Sequence, residues 1–131
     1  NNILAKQEAR TAQTFDGLLL NTEGFLAEAT TSNFFFVKDQ QLCTPSLQCG
    51  ILPGITREIV LELAKNEGIE LQEGAFRSED LWDADEAFLT NTGFGVLPVN
   101  TIETRPLVSS LERSMTKTIQ HLYERLIAGV G

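Results

Sequence analysis

Three short stretches carry the residue types that could do chemistry. Glu28 ends an apolar run over 25–28, and Thr31, Ser32 and Asn33 follow it at once. Pro53-Gly54 then leads through Ile55, Thr56 and Arg57 into a helical pattern. Farther on, Thr90-Asn91-Thr92-Gly93 makes a polar turn after an apolar strand. Together these suit an aromatic, phosphorylated cofactor. A carboxylate on a strand can pair with a ring nitrogen that must stay protonated, and once buried it needs such a partner. Backbone N–H groups at a helix start, with the Thr56 hydroxyl, can hold a phosphate, because first-turn donors have no intrahelical acceptor and the helix dipole favours an anion. Gly93 permits close backbone approach. Each stretch also has a plainer reading: a solvated edge-strand carboxylate, turn-forming Ser, Thr and Asn, an ordinary helix start with Arg57 on its surface, and an ordinary turn.

The elements that must position these residues are legible from periodicity. Leu4, Ala5, Ala9 and Ala12 recur at helical spacing within 3–14. Strands are expected over 18–20, 25–28, 34–38, 41–44, 69–72, 86–90 and 95–99, with turns at 21–24, 39–40 and 91–93. Phe34-Phe35-Phe36-Val37 is apolar throughout, which predicts burial on both faces. Pro98 confines the last strand to an edge or a bulge. The clearest helix spans 56–67, with Ile59, Val60, Leu63 and Ala64 as its stripe and Gly68 at C′. Ser78 caps a short helix carrying Leu81 and Trp82. A terminal helix runs over 111–127 on the stripe Met115, Ile119, Leu122 and Leu126. Strands outnumber helices and mostly follow one another. The fold class is therefore α+β, a mixed or antiparallel sheet with a few packed helices.

At 131 residues the chain is about one domain, long enough for a real core. A net charge of −8 and only ten dispersed Lys and Arg argue against nucleic acid as a partner. No apolar run approaches the roughly 20 residues of a membrane span, and no signal peptide is visible, so a cytoplasmic setting is expected. Cys43 and Cys49 read as reduced thiols in such a setting, although a disulfide between them has a workable spacing. His121 reads as a surface residue. Asp83, Asp85 and Glu86 lack the spacing of a ligand cage, and no metal site is expected. The chain has no initiator Met and enters a helical pattern directly, so 1–131 is expected to be the carboxyl-terminal domain of a longer protein.

Glu28-x-x-x-Ser32-Asn33-Phe34-Phe35, Leu42-x-Thr44-Pro45 and Leu52-Pro53-Gly54-Ile55-Thr56-Arg57 resemble the signature of the class-IV aminotransferases. These are the fold-type-IV pyridoxal-phosphate enzymes: branched-chain and D-amino-acid aminotransferases and aminodeoxychorismate lyase. The resemblance runs from Asn2 to Val99. It implies a large cofactor-binding domain built on a largely antiparallel sheet or pseudo-barrel, with pyridoxal 5′-phosphate as cofactor. It also implies roles. Glu28 would pair with the pyridine nitrogen, Ser32 and Asn33 would line the cofactor, and Leu52 would pack on a ring face. Ile55 and Thr56 would face Thr92 and Gly93 across the phosphate. The Schiff-base lysine of the family would lie upstream of Asn1, which leaves no catalytic residue in this chain and makes the fragment alone inactive. The implied partners are a small amino acid or aminodeoxychorismate and a second copy in a homodimer.

Thr90-Asn91-Thr92-Gly93-Phe94-Gly95-Val96 looks more like the lyase, which releases pyruvate and 4-aminobenzoate, than like the aminotransferases. The alternatives are a branched-chain or D-amino-acid aminotransferase and, in another class, a non-catalytic remnant. Two departures from the family pattern bear on the substrate side. Asp16-Gly17 stands where Asp-Glu is common, and Glu103-Thr104-Arg105-Pro106 stands in place of an Asp-Gly-Arg loop.

Overall fold

A computed structural model describes residues 2–3, 18–20, 26–29, 32–46, 54–102 and 105–129. Strands β1 (Asn2–Ile3), β2 (Leu18–Leu20) and β3 (Leu26–Ala29) form a small sheet in that order, antiparallel throughout. The chain continues through β4 (Asn33–Lys38), β5 (Gln41–Pro45), α1 (Ile55–Asn66) and β6 (Leu71–Gly74). A 3-10 helix (Ser78–Leu81) leads to β7 (Glu86–Asn91) and β8 (Gly95–Val99). A ribbon of β9 (Thr101–Ile102) and β10 (Arg105–Pro106) precedes α2 (Met115–Ile127). The main sheet has the order β6-β5-β4-β7-β8 and is antiparallel except for the β5–β6 pair. This is the α+β, largely antiparallel architecture that the sequence predicts.

The apolar run of β4 is central because both faces of the sheet are covered. Phe34 and Phe36 pack with Ala87, Leu89, Phe76 and Leu81 on one face. Phe35 and Val37 pack with Phe88 and Val96 on the other, under Val60, Leu61 and Ala64 of α1 and Ile119 of α2. Phe35 stacks on Phe88, its neighbour in register, with ring centroids 4.8 Å apart. The β4–β5 hairpin turns through Asp39 and Gln40, both at positive φ, the pair that matches the strand twist. β8 is an edge strand and accommodates Pro98.

Several boundaries differ from the sequence reading. Ile3 pairs with Leu19 in β1 rather than starting a helix, and 4–14 lie outside the described residues. β6 starts at Leu71 and not at Ile69, because the Ile69 amide closes the end of α1 on the Ala64 carbonyl, with Gly68 at φ +72. That is the Schellman arrangement, and it takes the Ile69 donor from the sheet. The N-cap of the short 3-10 helix is Arg77, whose amide donates to the Asp80 carboxylate, and Ser78 is the first residue of that helix. α2 starts at Met115, four residues later than 111, because Ser114 accepts from the Lys117 amide and fixes the helix start there. Within α1, Leu61 is buried, whereas Ile59 and Leu63 are half-buried.

Candidate functional site

The site is built from the amino-terminal end of α1. Gly54 is its N-cap and brings no side-chain cap, so the first-turn amides have neither an intrahelical acceptor nor a capping side chain. Gly54 lies directly on Asn33: a Cβ on it would stand 2.2 Å from Asn33 Oδ1. Asn33 opens β4 and is in register with Thr90 near the end of β7. The helix start is thereby seated on the ends of the two central strands.

The neighbouring turn is held by Asn91. Its Oδ1 accepts from the Gly93 and Phe94 amides, each at 2.9 Å, and its Nδ2 donates to Ser32 Oγ at 3.4 Å. The first two bonds shape the Thr92-Gly93 turn as an Asx turn; the third ties it to the residue before β4. Gly95, just past the turn, has φ +74, and a Cβ on it would meet Tyr123 Cε2 at 2.8 Å. The Tyr123 hydroxyl in turn lies 3.4 Å from Thr56 Oγ1. α1, the β4 and β7 ends, the β7–β8 turn and α2 therefore meet in one place. Ser32, Asn33, Thr56 and the turn held by Asn91 are linked through these contacts.

Within this cluster the residues differ in what they offer. Thr56 is 1 % exposed and turned inward. The Ile55 side chain is 68 % exposed, so Ile55 brings its amide and not its side chain to the site. The Gly93 amide is occupied by Asn91, which leaves the exposed Thr92 hydroxyl as the side-chain donor of that turn. Thr90 Oγ1 is fully buried with no hydrogen-bond partner among the described residues. Arg57 is also buried, against the plainer reading that put it on the surface. Its guanidinium bonds the Pro45 carbonyl, Glu58 and Glu73 and so ties α1 to β5 and β6. Glu28 lies on β3, but its side chain, like the whole of Leu52, is outside the described residues.

An uncapped helix start beside inward hydroxyls and a side-chain-free glycine wall suits an oxyanion of phosphate size. The sequence reading gave no role of their own to Thr90 and Asn91, within the turn it singled out, or to Tyr123. Asn91 was findable from its place two residues before Gly93, but nothing local marks Tyr123. Glu86, read as part of a plain acidic run, is buried and accepts from the Met115 and Thr116 amides, capping α2. His121 is exposed and pairs with Glu112 at 2.8 Å, a bond that lowers the Glu112 pKa. Among the described residues no helix is long and apolar enough to cross a membrane.

The family profile of amino-transferase class IV matches residues 1–102. The chain belongs to the class IV aminotransferase family. Aminodeoxychorismate lyase of Bacillus subtilis (strain 168) is 38% identical over 127 residues, which is 97% of this chain and 43% of that protein. The crystal structure of branched-chain aminotransferase from Thermoproteus uzoniensis with norvaline is 38% identical with a TM-score of 0.80, over 86% of this chain and 37% of that one. Branched-chain amino acid aminotransferase from Thermobaculum terrenum, in its PLP-form, is 34% identical with a TM-score of 0.82, over 87% and 38%. The chain thus spans less than half the length of these relatives. The class IV stretch ends at Ile102, so α2 and its Tyr123 fall beyond the family match.

Proposed function

We propose that this chain is the cofactor-binding domain of a longer pyridoxal 5′-phosphate enzyme acting on a small amino-acid-like substrate. The observation that carries the reading is the uncapped start of α1 seated on Asn33, beside the hydroxyls of Thr56 and Tyr123 and the orphaned hydroxyl of Thr90. When bound, the cofactor supplies an electron sink through its protonated pyridine ring. The Ile55 and Thr56 amides and the Thr56 hydroxyl would hold the phosphate from one side, with the Thr92 hydroxyl opposite and Gly93 leaving room beside it. Ser32 and Asn33 would border the ring. Glu28 would hold a proton on the ring nitrogen, and Leu52 would cover one ring face. Among the described lysines, Lys38 ends β4, Lys65 lies in the last turn of α1 and Lys117 bonds Gln120 on α2. The covalent lysine would come from upstream of Asn1 in the whole protein, which we take to be a cytoplasmic homodimer.

For the reaction, the Thr90–Val96 segment favours aminodeoxychorismate lyase, and the B. subtilis relative agrees with it. A branched-chain aminotransferase is the second reading, favoured by the two solved structures. The test uses the whole protein. Pyridoxal phosphate is titrated against the wild type and Thr56→Val, and turnover is then measured with aminodeoxychorismate and with branched-chain amino acids plus a keto acid. Tight cofactor binding that Thr56→Val weakens about tenfold or more supports the site. No binding by the wild type refutes it, and the preferred substrate decides the reaction.

A further inference from the structure

We propose that Tyr123 is a positioning residue for the anion site: its phenol donates to the Thr56 hydroxyl, which leaves that hydroxyl's own proton to point at an anion held by the start of α1. The inference rests on the phosphate site proposed above and adds to it a residue that lies beyond the family match at residues 1–102.

The placement of Tyr123 is specific. Its ring lies against Gly95, where a Cβ would stand 2.8 Å from Cε2 and 3.2 Å from Cδ2. Gly95 is thus bare where the ring passes, and its φ of +74 is one that side chains rarely adopt. One turn earlier, Ile119 is fully buried among Phe35, Val60 and Phe88, and it anchors α2 so that Tyr123 reaches α1. The hydroxyl arrives 3.4 Å from Thr56 Oγ1, across 67 positions of sequence. That distance is long for two hydroxyls, and a contact of this kind tightens when a ligand engages one of them.

The direction of the bond follows from the donor inventory. Each hydroxyl has one proton and can accept. A helical Thr often gives its proton to a carbonyl of the preceding turn. Thr56 is the second residue of α1, so α1 itself offers no preceding turn to take it. The phenol is the more acidic partner and donates; the Thr56 proton then has the open end of the helix before it. An independent observation points to the same place. Thr90 Oγ1 is fully buried with no hydrogen-bond partner among the described residues, on the sheet face shared by its register neighbours Asn33 and Val96. Asn33 touches Gly54, and Val96 belongs to the cluster that Tyr123 packs against. Buried hydroxyls normally have partners, so one without a partner among the described residues points to a polar ligand at this place.

The test compares wild type, Tyr123→Phe, Thr56→Val and the double variant in the whole protein, titrated with pyridoxal phosphate and with phosphate-free pyridoxal. Tyr123→Phe keeps the ring on Gly95, so thermal stability without ligand should fall by no more than the one long hydrogen bond lost. The expected result is a three- to tenfold loss of pyridoxal phosphate affinity, about the worth of one hydrogen bond, with pyridoxal affinity unaltered. Protection against unfolding by inorganic phosphate should fall in parallel. In the Thr56→Val background, Tyr123→Phe should cost nothing further. Equal losses for both ligands, or the same loss in the Thr56→Val background, would overturn the inference in favour of plain packing. A loss with Thr56→Val but none with Tyr123→Phe overturns it while the phosphate site stands. No loss with Thr56→Val removes both.

Discussion

Removing the Glu86 carboxylate should detach the start of α2 from the sheet. Glu86 Oε1 accepts from the Thr116 amide and the Thr116 hydroxyl, both at 2.7 Å, and Oε2 accepts from the Met115 amide at 3.0 Å. Thr116 is fully buried, so in Glu86→Ala water cannot replace the lost acceptor. Two buried donors left without a partner cost about 1–2 kcal/mol each. The half-buried Met115 amide adds less, and Ser114 still caps the Lys117 amide. The sum is about 2–5 kcal/mol. Glu86→Gln keeps one carbonyl oxygen for Thr116 but turns an NH2 toward the Met115 amide, and should cost about 1–2 kcal/mol. The assay is urea unfolding of the whole protein together with hydrogen exchange over 114–120. The expected pattern is faster exchange at the start of α2 in both variants, more so in Ala, with α1 exchange little changed. A Glu86→Ala protein within about 0.5 kcal/mol of wild type, the range of an ordinary surface change, would refute the capping argument. So would a Gln variant as damaged as Ala.

Two further outcomes follow from the packing. Gly54→Ala keeps an allowed backbone, φ −72 and ψ 144, so its only penalty is the Cβ set 2.2 Å from Asn33 Oδ1. It should cost about 1–3 kcal/mol and weaken pyridoxal phosphate binding, and adding Asn33→Ala should restore part of the stability; an innocuous Gly54→Ala would show that the helix start is not seated as described. Burial pushes the Cys43 thiol from 9.0 to about 11. In a Cys49→Ser background the folded protein should resist a disulfide reagent at about pH 8 that labels the unfolded chain at once. Between pH 9 and 11 the unfolded thiol has lost its proton while the folded one keeps it, so this group makes stability fall as pH rises through that window. Rapid native labelling, or no such decline relative to Cys43→Ala, would contradict the burial.

The sequence by itself carried whatever depends on neighbours in the chain. Four consecutive apolar residues at 34–37 demand cover on both faces whatever provides it, and α1 and α2 provide it on one side. Gly68 ends α1 because only the local backbone decides a left-handed cap. Pro53-Gly54 before Ile55-Thr56 marks a helix start, and with it the amides that an anion would need. Tertiary structure decided which side chains meet that start. Tyr123 has an ordinary place in an amphipathic helix, and only the packing of α2 across the sheet carries it 67 positions back to Thr56. Glu86 looks like one more acid in an acidic run until α2 presents its open amides to it across 30 positions. Arg57, in a helix first turn that suits the surface, is buried because β5 and β6 supply the Pro45 carbonyl and the Glu73 carboxylate. The division has one physical cause. Periodicity and turn chemistry are set by torsions within a few residues, whereas the partner of a polar group is set by burial, which the chain acquires only when distant elements pack.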